Sequence, residues 1–200
     1  MSDFAGFSVD PDLLLRRGEI ESDPQTFGAT PEPPPTVDPE AFKAAMRVLA
    51  AGVVMVTAQK DGELHGLTIS ACCSISASPP RVLISLAETA SCLPAVLETR
   101  RFGLSILRTA QKPLAELGAV PGGPKEVAAF SESRDGSVTM IAGALAHLDC
   151  AVHRTFRVSD HTLVIGDVEH AVSVPPDELE EPGPLLYFNR TFHALGEAVE

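Results

Sequence analysis

The stretch LHGLTISACCSISASPPRVLISLA, residues 64 to 87, decides the fold class of this chain. Its pattern is typical of β structure, and the adjacent prolines Pro79 and Pro80 interrupt it. Because proline cannot donate a ladder hydrogen bond, we expect the pair to end one strand, LHGLTISACCSIS. A second strand, RVLISLA, is predicted to start after the prolines.

Upstream of this stretch, residues 38 to 52 predict a helix. Asp38 suits the cap, Pro39 suits the first turn, and apolar residues recur at helical spacing until Gly52, where we expect the helix to stop. The segment VVMVTAQ and a turn at Asp61 and Gly62 then introduce the β pattern.

Downstream, two short helices, SCLPAVLET and AQKPLAEL, are predicted on either side of a strand, FGLSILR. Residues 118 to 137 are rich in glycine, proline and charge, which favours a mobile loop with a little helix. Three strands follow in ALAHLDCAVHRTFRV, HTLVIGDVEHAVSV and PLLYFNRTFHAL. Many strands with few, short helices predict a mainly β protein, a closed barrel with helical decorations.

The first 37 residues differ in composition from the rest. They are proline-rich, with PEPPP at 31 to 35, and such a segment cannot repay the entropy of ordering on its own. We therefore predict an extended N-terminal arm over residues 1–37 and one domain over residues 38–200. The apolar run LLLRR within the arm, preceded by Asp10 and Pro11, is expected to dock on the body or on a second subunit.

Composition and charge also limit the kinds of molecule that this chain is expected to bind. The formal net charge of −12 repels a polyphosphate backbone, and no basic stripe offsets it, so nucleic acid is not expected as a partner. No apolar run is long enough to span a bilayer, which favours a soluble, cytoplasmic protein without membrane contact. Histidines and cysteines lack zinc-ligand spacing, so no metal is predicted, and the four cysteines are expected to be free thiols. No G-x-G-x-x-G lies between a strand and a helix.

The order of the segments carries a resemblance. In sequence, AFKAAMRVLAAGVVMVTA, DGELHGLTISACCSISASPPRVLISL, RFGLSIL, GALAHLDCAV, SDHTLVIGDV and PLLYFNRTFHAL resemble the flavin reductase-like proteins with an FMN-binding split barrel, over about residues 41 to 195. That resemblance implies a homodimer that uses NADH or NADPH to reduce FMN or FAD. It further implies that free reduced flavin passes to a partner monooxygenase.

Within the resemblance, LTISACCSISASPP corresponds to the segment that lines the flavin ring and ribityl chain. Small residues suit this task because they let a backbone approach a flat ring closely. Three positions depart from the family, which more often has a hydroxyl, an aromatic and another hydroxyl where this chain has Ala71, Cys72 and Cys73. The alternative is an ordinary strand whose serines face solvent. The implied flavin-binding residues are Thr68, Ser70, Ala71, Cys72, Cys73 and Ser74.

The segment ETASCLPAV resembles the turn that holds the flavin phosphate, with Thr89 and Ser91 before a short helix. Glu88 stands nearby where a basic residue is usual, and a carboxylate there is expected to weaken phosphate binding. Alternatively, Ser91 is simply a helix cap. Three basic residues remain open as the missing positive charge: Arg100, Arg101 and Lys125.

The segment SDHTL resembles the motif whose histidine lies beside the flavin and seats the nicotinamide. The resemblance therefore makes His161 the catalytic residue, as a flat wall and hydrogen-bond donor at the barrel rim. Asp160 either fixes the imidazole tautomer or caps the turn. Ser159 replaces the usual glycine, and an ordinary turn before a strand is the alternative.

The last motif, YFNRTFHAL, resembles a segment whose aromatic residue and histidine flank the flavin or dinucleotide pocket. Phe192 and His193 take those positions, although Phe192 replaces the usual tyrosine and Arg190 the usual glycine. A core strand is the alternative. We assign no role to the other histidines, which are His65, His147, His153 and His170.

Two functions from different classes follow. The first is NAD(P)H-dependent reduction of FMN or FAD by a dimer that supplies reduced flavin to a monooxygenase. The second is a flavin-binding electron carrier or interaction subunit with little or no turnover. The DHTL segment favours the first, whereas the departures at Cys72, Cys73, Glu88 and Arg190 favour the second.

Overall fold

The computed structural model describes residues 37–120, 131–132, 138–175 and 183–196. Apart from Val37, the predicted arm lies outside the described residues. Contacts divide the chain into two units, Met1–Phe42 and Lys43–Glu200.

Three α-helices and one 3-10 turn occur among the described residues: α1 (Pro39–Arg47), α2 (Leu93–Thr99), α3 (Lys112–Gly118) and the turn Thr109–Gln111. None of these helices is long and apolar enough to cross a membrane. Asp38 caps α1 as predicted, since its Oδ2 accepts the N–H of Ala41 at 3.2 Å. The predicted end at Gly52 is wrong. The helix stops at Arg47, whose carbonyl accepts the N–H of Asn189 at 2.8 Å, and Gly52 is in a strand.

The strands confirm a mainly β protein. They are β1 (Ala51–Gly52), β2 (Val54–Lys60), β3 (Glu63–Ile69), β4 (Cys72–Ala77), β5 (Pro80–Ala87), β6 (Arg101–Ile106), β7 (Ser131–Glu132), β8 (Met140–Ile141), β9 (Ala146–Val158), β10 (His161–Ser173), β11 (Leu185–Phe188) and β12 (Thr191–Ala194). Seven of them form one antiparallel sheet in the order β3-β2-β6-β9-β10-β5-β4. A second sheet has the order β1-β11-β12, and β7 pairs with β8. Strand β7 lies within residues 118 to 137, which were predicted as a loop and of which only 118–120 and 131–132 are described, whereas β8 follows that segment.

The large sheet is strongly curved, and its two edge strands show why. Strands β3 and β4 lie at opposite ends of the sheet, yet only Ser70 and Ala71 separate them in sequence. A flat sheet would hold these edges about 29 Å apart, at about 4.8 Å per strand spacing. The three Cα steps from Ile69 to Cys72 span at most about 11 Å. The sheet must therefore curl until its edges meet.

The curled sheet is not closed by hydrogen bonds. No ladder joins β3 to β4 among the described strands, so the closure expected from the strand pattern is incomplete. We call this gap the seam. The single strand predicted over LHGLTISACCSIS is also wrong, because Ser70 and Ala71 interrupt it where the chain crosses from one edge of the sheet to the other.

The last predicted strand, PLLYFNRTFHAL, is a hairpin instead. Strands β11 and β12 are joined by Asn189 and Arg190, whose φ angles are 47° and 64°. Positive φ at both central residues defines the tight turn that suits antiparallel strands. Asparagine adopts this conformation readily and arginine rarely does, which explains why the turn was missed.

The main core lies inside the curl. It joins residues from strands that are distant in the sheet, such as Val56 on β2 and Ile84 on β5. Phe102 on β6 is fully buried there and lies against Gly166 on β10. A Cβ at Gly166 would lie 2.5 Å from Phe102 Cζ, so the ring occupies the space that a side chain would need.

Candidate functional site

A pocket of about 400 Å³ opens between the end of β3, helix α3 and the β11–β12 hairpin. Thr68, Ser70 and Phe192, three of the predicted binding residues, line this pocket although they come from distant parts of the sequence. The Phe192 ring meets Tyr187 edge-on, with 5.3 Å between ring centroids. The pocket thus combines two hydroxyls with an aromatic wall.

The pocket also contains charged residues that the sequence did not single out for it. Lys112 and Glu116 of α3 line it and form an ion pair at 3.5 Å. Arg190 lines it from the hairpin turn, and its side chain makes no hydrogen bond or ion pair with another described residue. The lysine and glutamate stand four residues apart on a predicted helix, which is a recognisable surface pair but carries no signal for a pocket.

Residues 71 to 74 follow Ser70 in the sequence, but they do not line this pocket. Ala71 accepts the N–H of Ser85 at 3.1 Å through its carbonyl. Cys72 packs against the core and Cys73 is exposed, since successive residues of a strand point to opposite faces. Burial raises the pKa of the Cys72 thiol to about 11, which keeps it protonated at neutral pH. Ser74 is exposed.

All four cysteines are free thiols. The described residues contain no group of three or more histidine, cysteine or acidic side chains that could hold a metal ion.

The SDHTL motif forms the turn between β9 and β10. Ser159 adopts a positive φ of 54°, which explains why this position suits glycine. The Oδ1 of Asp160 lies 2.8 Å from Nδ1 of His161, as expected of a residue that orients the imidazole. This hydrogen bond lowers the pKa of Asp160, so its carboxylate stays ionised at neutral pH. The His161 side chain is 45% exposed.

The turn that follows β5 carries Thr89 and Ser91, which are exposed and half-buried, respectively. Helix α2 is capped at Cys92, which makes no side-chain cap hydrogen bond, so the alternative that Ser91 is the helix cap is wrong. Neither residue lines the pocket of about 400 Å³.

Two of the three basic residues left open as phosphate partners are already engaged. Arg100 donates to the carbonyl of Val152 at 2.7 Å. Arg101 pairs with Asp149 at 3.1 Å and with Glu169 at 2.8 Å. The third, Lys125, lies outside the described residues. The cations that line the pocket are Lys112 and Arg190 instead.

Comparison with known proteins places most of the described residues in one family. The family described as "Flavin reductase like domain" matches residues 46–196. The chain belongs to the flavin reductase-like family. This confirms the resemblance that the sequence motifs indicated.

Relatives of this flavin reductase-like chain match over most of their length. It is 38% identical over 157 residues to the reductase component of 4-hydroxyphenylacetate 3-monooxygenase from Thermus thermophilus, which covers 78% of this chain and 96% of that protein. It is 35% identical over 162 residues to a flavin reductase (NADH) from Kitasatospora aureofaciens, covering 80% and 83%. Among solved structures, the flavin reductase PheA2 in its native state aligns with a TM-score of 0.71 and 32% identity, covering 80% of this chain and 100% of that one.

The predicted site residues of the flavin reductase-like chain therefore fall into several groups. Thr68, Ser70 and Phe192 share the pocket, whereas Asp160 and His161 share the β9–β10 turn. His193 follows Phe192 in a strand, so its side chain points to the opposite face, where it meets Phe188 at 5.8 Å between centroids. His193 is not among the pocket-lining residues.

Proposed function

We propose that this chain is an oxidoreductase that uses NADH or NADPH to reduce FMN or FAD and supplies the reduced flavin to a partner monooxygenase. The observation that carries the proposal is the near full-length match to proteins named as NADH-dependent flavin reductases and as a monooxygenase reductase component. Relatives named for NADH and for riboflavin 5'-phosphate favour NADH and FMN as the first pair to test.

The pocket residues fit a flavin. A volume of about 400 Å³ lies within the range of small-molecule sites, and the lining supplies what a flat, phosphorylated ligand needs. Thr68 and Ser70 offer hydroxyls to the polar edge of the ring, and Phe192 offers a stacking face. Arg190 offers positive charge to an anionic ligand, and Lys112 does so from its ion pair with Glu116. A bound flavin supplies the hydride-accepting ring, and the dinucleotide supplies the hydride.

The predicted residues outside the pocket keep their proposed roles as neighbours of the ligand. Ala71, Cys72, Cys73 and Ser74 border the seam, where a backbone edge is free to approach a flat ring. Thr89 and Ser91 remain proposed phosphate contacts, and His193 remains a proposed pocket neighbour.

His161 is proposed to seat the nicotinamide ring against the flavin. Its Nδ1 is held by the ionised Asp160, and its side chain is 45% exposed, which leaves Nε2 as the ring nitrogen for a ligand. The hydride step needs close stacking of two rings rather than a protein acid or base, and a fixed imidazole at the rim provides an orienting wall.

Assembly and location complete the proposal. Large apolar side chains are exposed on the body, among them Met46, Leu49 and Ile75, and a homodimer would cover such surface. We propose a cytoplasmic setting, where free thiols persist. Residues 1–37 are proposed as an accessory arm of the domain formed by residues 38–200.

The reductase activity is tested by anaerobic mixing. Purified protein is mixed with NADH and FMN, and then with FAD or NADPH in turn, and loss of the oxidised flavin band is followed against protein-free mixtures. We expect catalytic bleaching with at least one pair. Flavin binding without faster bleaching in any mixture would instead support an electron carrier or interaction subunit, and would contradict the reductase.

A glycine behind the pocket provides a test of its ligand. Gly118 of α3 lies against Thr68 Oγ1, and a Cβ there would lie 2.6 Å from Met55 Cε. Gly118→Ala must therefore displace the Thr68 side chain, and we expect the flavin Kd to rise up to about tenfold, as the loss of one hydrogen bond worth about 0.5–1.5 kcal/mol would produce. Quenching of flavin fluorescence measures Kd. Gly52→Ala is the matched control because nothing lies within 4 Å of its Cβ position. An unchanged Kd in Gly118→Ala would remove Thr68 from the flavin site.

A further inference from the structure

Glu88, the first residue after β5, contacts both stems of the turn that carries His161. Its backbone N–H donates to the carbonyl of Asp160 at 2.8 Å. Its Oε1 accepts the hydroxyl of Thr162 at 2.5 Å, and its Oε2 lies 3.4 Å from Nε of Arg157. Arg157 precedes the turn and Thr162 follows it, so a single residue holds the turn at its tip and on both sides.

The two side-chain contacts differ in strength. Thr162 is buried, with 6% of its surface exposed, and its hydrogen bond to a carboxylate is charge-assisted. Arg157 is 74% exposed, so solvent and salt screen its ion pair with Glu88. The Thr162 contact is therefore the dominant one, and a neutral acceptor oxygen in place of the carboxylate would keep this hydrogen bond in a weaker form.

These contacts also change how the Glu88 carboxylate is interpreted, because the sequence alone suggested that it repels a phosphate. A free carboxylate beside a phosphate turn repels the ligand, but both oxygens of Glu88 are engaged by the β9–β10 hairpin. The β5–β10 ladder ends at this point, where Ala87 pairs with His161. Glu88 thus continues the contact between β5 and the β9–β10 hairpin one residue beyond the last ladder pair, through both its backbone N–H and its side chain.

We propose that Glu88 is a positioning residue that fixes the turn of residues 158–161, so that the His161 imidazole is held where the nicotinamide docks. The inference rests on the proposed function, since that function gives His161 the role of seating the nicotinamide. In this proposal Glu88 contacts neither the flavin ring nor the nicotinamide ring. It acts through Thr162 and the Asp160 carbonyl, and it sets the dinucleotide affinity rather than the flavin affinity.

The test compares Glu88→Ala with Glu88→Gln. The alanine variant loses the acceptor for Thr162, and we expect the KM for NADH to rise about tenfold, with kcat and the flavin Kd changed less than about twofold. The glutamine variant keeps an acceptor oxygen, so its KM for NADH should lie between those of the wild type and Glu88→Ala. Glu98→Ala is the matched control, because Glu98 also pairs with a cation, Lys60, but lies on α2.

Amide hydrogen exchange supplies a readout without any ligand. Residues 157–162 should exchange faster in Glu88→Ala than in the wild type, and at the wild-type rate in Glu98→Ala. A wild-type rate in Glu88→Ala would overturn the positioning role whether or not the protein reduces flavin.

The kinetic outcomes separate the two proposals. An inactive wild type with faster exchange in Glu88→Ala overturns the reductase but supports the hold on the turn. An active wild type that is sensitive to His161→Ala, together with an unchanged KM in Glu88→Ala, overturns the positioning role alone. Equal losses of NADH and flavin affinity in Glu88→Ala also overturn it, because they would show a general structural effect.

Discussion

Alanine in place of His161 is expected to lower kcat/KM for NADH by about 100-fold, because a displaced ring at the reacting face costs that much. The flavin Kd should change less than about twofold. The imidazole lies at the tip of the β9–β10 hairpin, hydrogen-bonded to Asp160 at 2.8 Å. Its loss would remove a wall of the proposed nicotinamide site without changing any residue that lines the pocket at Thr68 and Phe192. Steady-state kinetics at saturating flavin measure the first quantity, and fluorescence titration measures the second.

A histidine on the same strand provides the control for this substitution. His170 is exposed on β10 and its Nδ1 lies 2.9 Å from the Glu169 carbonyl, so His170→Ala should leave both constants unchanged. Equal losses of NADH and flavin affinity in His161→Ala would show that the imidazole is misassigned as a nicotinamide contact.

Alanine in place of Phe102 is expected to lower the free energy of unfolding by about 3–5 kcal/mol, the usual cost of removing a large buried ring. Phe102 is fully buried in the main core, and its ring fills the space above Gly166. Urea denaturation followed by circular dichroism measures the effect. Phe102→Leu keeps most of the volume and should cost less than about 1.5 kcal/mol.

The pairing of Phe102 with Gly166 can be tested separately. Gly166→Ala alone places a Cβ 2.5 Å from Phe102 Cζ and should destabilise the protein by about 1–3 kcal/mol. In the double variant the new methyl group enters the cavity left by the ring, so the combined loss should fall below the sum of the single losses. A purely additive double variant would mean that the ring and the glycine do not depend on each other.

The features that the sequence predicts well are local ones. The turn at Asp61 and Gly62 has φ angles of 53° and 79°, and the helix start at Asp38 follows from its side chain alone. The break at Ser70 and Ala71 is different, because nothing in those two residues requires it. It follows from the need to join the two edges of a seven-stranded sheet, a demand that arises only when every strand is in place.

The residues of the candidate site divide in the same way, into those that local motifs predict and those that depend on the whole fold. Thr68, Ser70 and Phe192 were recognised from motifs, and folding brings them into one pocket. Lys112 was not recognised, because α3 carries it to the pocket through tertiary packing. Glu88 was recognised as an unusual acid, but its contacts with Thr162 and Arg157 depend on the pairing of β5 with β10, which no local pattern reveals.

A ligand in the pocket at the end of β3 would also stabilise the folded protein. Ser70 belongs both to the link between β3 and β4 and to the pocket lining, so a flavin bound there would contact the chain where it leaves one edge of the sheet for the other. At 100 times its Kd, such a ligand would add about 2.7 kcal/mol to the stability of the folded state. Release of reduced flavin to a partner would remove this stabilisation, so the free energy of unfolding would fall each time the product leaves.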